Sequence, residues 1–303
     1  MFRKTLLLTL LLALFIAGCA PATEAPVSAA IILTDGLGRP VVMNGAAQRI
    51  ISLAPSNTEI LFAVGAGAQV IGRDAYSDYP AEALDVADIG DTYAGLNTEL
   101  VVSLKPDLIL AAEINTAEQV KALEDLGLTV YYLKNPNTLE EMYTNLEIVA
   151  QLTGQDPTKL TDLLKARVAA VDEKILPLSS RISVFYELDG TDPAKPYTAG
   201  SGTFINLLIE RAGGYNIASD IEGYPQLSLE QVVAADPMFI VLGDSAFGVT
   251  AEAVAARPGW ENLSAVKSGQ VLPFDDNLLS RPGPRLVDGL EALAKLLRPG
   301  LFE

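Results

Sequence analysis

The sequence predicts an α/β fold: two similar lobes with mostly parallel sheets, joined by one long helix, with a ligand cleft between them. Three observations carry that expectation. Short apolar runs alternate with helix-like runs in both halves of the chain, the pattern of parallel strands with crossover helices. One phrase is written twice: "LNTELVVSLKPDLILA" (Leu96 to Ala111) and "LSLEQVVAADPMFIVL" (Leu227 to Leu242) share Leu, Glu, Val-Val, Pro and Ile in register, 131 positions apart. Between the copies, "DPTKLTDLLKARVAAVDEKILP" is bounded by Asp156-Pro157 and Pro177 and reads as a single helix.

The elements follow in chain order. "MFRK" and the apolar "TLLLTLLLALFIA" form a signal peptide, too short for a membrane span of about 20 residues. "IAGC" resembles the bacterial lipobox, which places lipidation on Cys19, the sole cysteine. Residues 1–18 are therefore expected to be removed, and 19–33 to form a lipidated terminus and tether. "TDGLGRPVVM" reads as an opening hairpin and "RIISLA" as a buried strand. "PSNTEILFAVGAG" turns into a helix in which Ser56 and Glu59 have capping-box spacing and Gly65 marks the stop. "QVIGR", "TAEQVKALEDLG" and "LTVYYL" complete a first lobe over residues 34–155. The connecting helix, over 156–177, places Leu160, Leu163, Leu164, Val168 and Val171 on its apolar face. A second lobe over 178–303 repeats the theme with "RISVFYEL", "PYTAGSGTFINLLIERAGG" and "FIVLGD". "LAPSNTEI" and "TAGSGTFI" match as well, each leading from a strand end into a helix.

Composition excludes several classes. Thirty-eight acidic residues against 21 basic ones, with no Lys/Arg cluster, exclude nucleic acid as a partner. The chain has no histidine, which removes the Ser-His-Asp constellation and His-ligated zinc. "GAGAQV" fails the dinucleotide-loop spacing and follows a helix, so no enzymatic activity and no resident cofactor is expected.

Ligands of facing α/β lobes sit at the carboxyl ends of strands. The loops placed there carry Tyr76, Tyr93, Tyr197 and Tyr224, flat rings with polar tips suited to a large ligand with apolar faces and amide edges. In the repeated phrase, Asn97 and Ser228 sit as N-caps, and Glu99 and Glu230 fall in the first turns of equivalent helices.

With these residues in place, the chain resembles the cobalamin-binding substrate-binding proteins of ABC transporters, within a group that also binds ferric siderophores and haem. "SLAPSNTEILFAVG", "YSDYP", "LKPDLILA", "LIERAGGYNIA", "GYPQLSLEQV" and "SRPGPRLVDGLEALAKLL" carry the resemblance, which runs from about Thr34 to Phe302. It implies a non-enzymatic, monomeric, lipid-anchored protein on the outer face of the cytoplasmic membrane that captures cobalamin or a related corrinoid. It implies ligand contacts at Pro55, Ser56, Asn57 and Tyr76. Tyr93, Tyr197 and Tyr224 stand where relatives carry Trp, Phe and Trp, and Ala112 where one carries Trp. Asn277 stands where one branch has an aspartate, with Asp276 beside it to serve instead. Glu99 and Glu230 match the glutamates that dock onto a dimeric permease. The alternative within the group is a ferric-siderophore or haem receptor, using Arg281 and Arg285 for an anionic ligand or Tyr76 or Tyr224 for iron.

Overall fold

The computed structural model describes residues 30–93 and 95–302; Cys19 and the expected signal peptide lie outside the described residues. The chain opens on an antiparallel hairpin of β1 (Ile31–Thr34) and β2 (Pro40–Met43). Residues 31–33, expected in the tether, are therefore the first strand.

Two parallel sheets follow. The first runs β5-β4-β3-β8-β9, from β3 (Ile50–Ser52), β4 (Val70–Arg73), β5 (Ala87–Asp88), β8 (Leu108–Ala111) and β9 (Val130–Tyr132). The second runs β11-β10-β12-β13, from β10 (Ile182–Glu187), β11 (Gly214–Asn216), β12 (Phe239–Leu242) and β13 (Val271–Pro273). Numbered in chain order within each sheet, the first reads 3-2-1-4-5 and the second 2-1-3-4, so both place the second strand on one side of the first and continue on the other. A small antiparallel pair, β6 (Gly90–Asp91) and β7 (Gly95–Leu96), was not anticipated.

The duplicated phrase holds in three dimensions. Helix α2 (Thr98–Ser103) leads into β8, and α7 (Leu229–Ala235) leads into β12. Asn97 accepts from the Leu100 amide at 3.0 Å, and Ser228 from the Gln231 amide at 3.3 Å, so both are the N-caps expected. Only two non-glycine residues among those described have positive φ, Lys105 (49°) and Asp236 (40°), and they occupy the same place in the repeat, each before a proline.

The second matched pair of loops departs from its register. Helix α1 (Pro55–Ala63) starts at Pro55, whereas α6 (Phe204–Arg211) starts one turn later, behind the capping Thr203. Pro55 has the φ a first helical turn needs. In the second copy Gly200 is pressed against the Ile221 carbonyl, where a Cβ would lie 1.8 Å from the oxygen, and the chain stays irregular until Thr203. Nor is there a capping box at Ser56 and Glu59, because Ala54 is the N-cap and Glu59 is committed elsewhere.

Helix α5 (Thr158–Ile175) is the connection, roughly 27 Å long at 1.5 Å per residue. Its buried face is Leu164, Val168, Val171 and Ile175, spaced at helical intervals. Leu163, expected on that face, is 57% exposed because it lies about 100° around the helix from Leu164. This face joins one apolar core that includes Ile50 and Leu108 of the first sheet, Val184 of the second, and Leu290 and Leu293 of the C-terminal α11 (Leu286–Leu297). Each such side chain, fully buried, contributes about 1.5–3 kcal/mol. The halves thus share a core as well as a linker. Among the described residues no helix is long and apolar enough to cross a membrane.

Candidate functional site

On the first half, two tyrosine loops are pinned to the carboxyl edge of the sheet. The Asp74 amide donates to the Ser52 carbonyl at 3.1 Å, and Ala75 N–H to the Gly90 carbonyl at 2.9 Å. Below them, Thr58 Oγ1 lies 2.8 Å from the hydroxyls of both Ser52 and Ser77, and Ser77 donates to Asp74, all buried. Tyr76 projects from this base, and its hydroxyl donates to Asp91 Oδ2 at 2.8 Å. Tyr93 stands edge-on to it with ring centroids 6.0 Å apart. Its loop is held where Thr92 Oγ1 donates to the Leu53 carbonyl at 3.2 Å and Gln119 Nε2 to the Thr92 carbonyl at 3.0 Å.

On the second half, residues 197–201 and 221–226 are laced together. Thr198 N–H donates to Pro225, Gly200 N–H to Gly223, and Gly223 N–H back to Ser201, at 2.7–2.9 Å. Tyr197 and Tyr224 are exposed on this ribbon. Although much of the Tyr224 ring is open to solvent, desolvation at its recessed hydroxyl, with the Asp276 and Glu113 carboxylates near it, holds its pKa above the usual tyrosine value. Glu113 follows the first sheet and Asp276 the second, so carboxylates of both halves act on Tyr224. Half-buried Asp276 accepts from the fully buried Tyr186 hydroxyl at 2.8 Å, and burial pushes its carboxyl above the ordinary carboxylate range. Asn277 opens the short helix Asn277–Ser280 and turns its amide onto Asp275 at 3.0 Å.

Between the halves is a hollow of about 440 Å³, lined by Pro55, Ser56, Tyr76, Tyr93 and Ala112 on one side and by Phe247 and residues 280–282 on the other. Four expected contacts therefore converge: Pro55, Ser56, Tyr76 and Tyr93. Asn57 does not, because it is buried and its Nδ2 donates to the Leu110 carbonyl at 3.0 Å, tying α1 to β8. Tyr197, Tyr224, Asp276 and Asn277 do not line this hollow. Phe247 was missed; it is a lone Phe in a Gly-rich turn, with no pattern to mark it.

Volume alone does not select this site. Hollows of about 600 Å³ beside α5 and about 660 Å³ beside the 243–250 turn are larger. Only the smaller one gathers paired tyrosines at strand ends, where α/β ligands bind.

The arginines read as anion receptors are occupied. Arg285 makes a bidentate pair with buried Glu59, at 2.8 and 2.5 Å, and its guanidinium lies 3.9 Å over the Tyr79 ring. Arg281, which lines the hollow, donates to Asp78 at 2.5 Å and lies 3.4 Å from Glu59. These contacts join α1 of the first half to the C-terminal segment of the second. They serve to fix the lobes.

Glu99 and Glu230 are both exposed in the first turns of α2 and α7. Hydrogen bonding to the backbone amide at the helix start, with Ser228, lowers the Glu230 pKa. One turn on, Val102 and Val233 are 43% and 44% exposed, so each half presents the same acid and the same apolar neighbour.

An aromatic-lined cleft between two parallel-sheet halves, braced by one helix, defines a ligand-binding receptor. Residues 50–278 match the periplasmic binding protein family, and the chain belongs to that family. It is 34% identical to the uncharacterized ABC transporter substrate-binding lipoprotein YvrC of Bacillus subtilis, over 97% of this chain and 96% of the relative. Among solved structures it is similar to the periplasmic vitamin B12 binding protein BtuF of Vibrio cholerae, with a TM-score of 0.70 and 30% identity over 85% of this chain and 99% of the other. It is also similar to the periplasmic heme-binding protein RhuT of Roseiflexus sp. RS-1, at TM-score 0.74 and 27% identity over 85% of this chain and all of that one (100%).

Proposed function

We propose that this protein captures a corrinoid between its two lobes and delivers it to the permease of an ABC transporter. The lobes are residues 31–155 and 178–302, and helix α5 joins them. Acylation of Cys19 holds the protein on the outer face of the cytoplasmic membrane. Glu99 and Glu230, one per lobe, meet two equivalent basic pockets of a permease dimer.

One observation carries the choice of ligand. Among the described residues, Arg281 is the only charged one lining the tyrosine hollow, and its guanidinium is already paired with Asp78 and Glu59. A ligand bearing carboxylates, as haem and many ferric siderophores do, finds no free cation among the described lining residues. A corrin ring, apolar on its faces and fringed with neutral amides, needs none. Tyrosine ligation of haem iron is disfavoured too. The Tyr76 hydroxyl is already committed to Asp91 Oδ2 at 2.8 Å and would have to give up that bond to reach iron, and Tyr224 does not line the hollow.

The test is a calorimetric titration of residues 28–303 with cyanocobalamin, cobinamide, haemin and a ferric siderophore. Heat of binding with a corrinoid and none with haemin is expected. Binding of haemin or the siderophore alone would transfer the assignment to the other branch of the family.

A further inference from the structure

Phe247 is 89% exposed, more than any other large apolar side chain among the described residues. Solvent-facing apolar side chains are ordinary when scattered, but one that lines a cleft marks a contact surface. Phe247 lines the hollow that holds Tyr76 and Tyr93, and comes to it from the opposite half of the molecule.

Its backbone is firmly set. The turn Gly243–Phe247 continues directly from the end of β12. Buried Asp244 accepts the Gly190 amide at 2.9 Å, and Ser245 Oγ donates to the Phe274 carbonyl at 3.0 Å. Gly248, at φ +93°, closes the turn by donating its amide to the Ser245 carbonyl at 3.0 Å. A left-handed residue there is what lets the chain reverse directly behind the ring. Its neighbours Ala246, Val249 and Thr250 line a separate hollow of about 660 Å³, so within this turn Phe247 alone lines the tyrosine hollow. A fixed backbone carrying a bare aromatic ring is a preorganised anchor, since little ordering remains to be done when the ring is covered.

We propose that Phe247 is a specificity-determining ligand contact: it closes from the second lobe onto the apolar face of a flat ligand seated against Tyr76 and Tyr93. This rests on the corrinoid reading and adds a residue to it. The ring selects for planar, apolar faces and against bulky hydrated ligands of similar size.

The experiment is titration of wild type, Phe247→Ser, Phe247→Leu and Tyr93→Ser with cyanocobalamin, cobinamide and haemin. Because the side chain is exposed, Phe247→Ser should leave the melting temperature unchanged. Its affinity for the corrinoid should fall roughly tenfold or more, the scale of burying one Phe ring, with Phe247→Leu between the two. Phe247→Ser binding within about twofold of wild type, while Tyr93→Ser weakens, would overturn the inference and leave the corrinoid reading standing. If wild type takes haemin and no corrinoid, the corrinoid reading falls, and Phe247 is judged by the same criterion on haemin. If wild type binds none of the three, both fall.

Discussion

Asp276 shows how a single half-buried carboxyl sets a pH dependence of stability. Burial raises its pKa in the fold, and the Tyr186 hydroxyl hydrogen-bonds it. A carboxyl whose folded pKa lies above its unfolded value favours the fold most when protonated. Its contribution is present below the ordinary Asp value of about 3.9 and is lost as pH rises through the raised one. Asn at this position keeps an oxygen for Tyr186 and never ionises. Asp276→Asn should therefore melt higher than wild type at neutral pH, with the gap closing as pH falls toward about 4 in scanning calorimetry. Parallel curves for the two proteins would show that Asp276 carries no such penalty. None of this was legible beforehand: the sequence places Asp276 beside Asn277, but burial against Tyr186 depends on a partner 90 positions earlier. Glu59 is a similar case. Its spacing from Ser56 reads as a capping box, and only the fold brings Arg285 to it.

At the scale of elements, the repeated helix–strand unit was the most legible part of the molecule. Caps, glutamates, valines and the turn before proline recur because each is set by local chemistry within one short segment. The loops before α1 and α6 were less so. Four matching residues concealed a one-turn offset, because Gly200 meets Ile221 across the ribbon, a long-range contact that local pattern does not record. The twin units carry a functional expectation as well. Acids at helix starts need no role beyond the dipole. Here, though, each half presents the same exposed Glu and Val at the same register, which suits a partner with two equivalent surfaces. Glu99→Ala combined with Glu230→Ala should leave corrinoid affinity intact and abolish stable complex formation with the cognate permease in nanodiscs. Truncating one partner of a buried interfacial charge pair costs roughly 2–5 kcal/mol. Permease binding equal to wild type would reduce both residues to helix-start acids.

For the molecule as a whole, the alternation of apolar and helical runs and the lone proline-bounded helix were enough to foresee two parallel sheets and their connection. What they did not reveal is how tightly the halves are bound. The shared core along α5 and the buried contacts from Glu59 to Arg281 and Arg285 brace them at a set angle. Removing one partner of a buried ion pair commonly costs about 3–5 kcal/mol, so this brace resists wide opening. A receptor so braced offers its ligand a largely preformed cleft, with Tyr76 and Tyr93 on one wall and Phe247 on the other. The cobalt of a corrinoid makes that claim directly measurable. Crystals grown with cyanocobalamin and recorded at the cobalt absorption edge should show one anomalous peak per protein molecule, within the hollow between Tyr93 and Phe247. A cobalt peak beside α5 or on the outer surface, or none at saturating cyanocobalamin, would contradict the account.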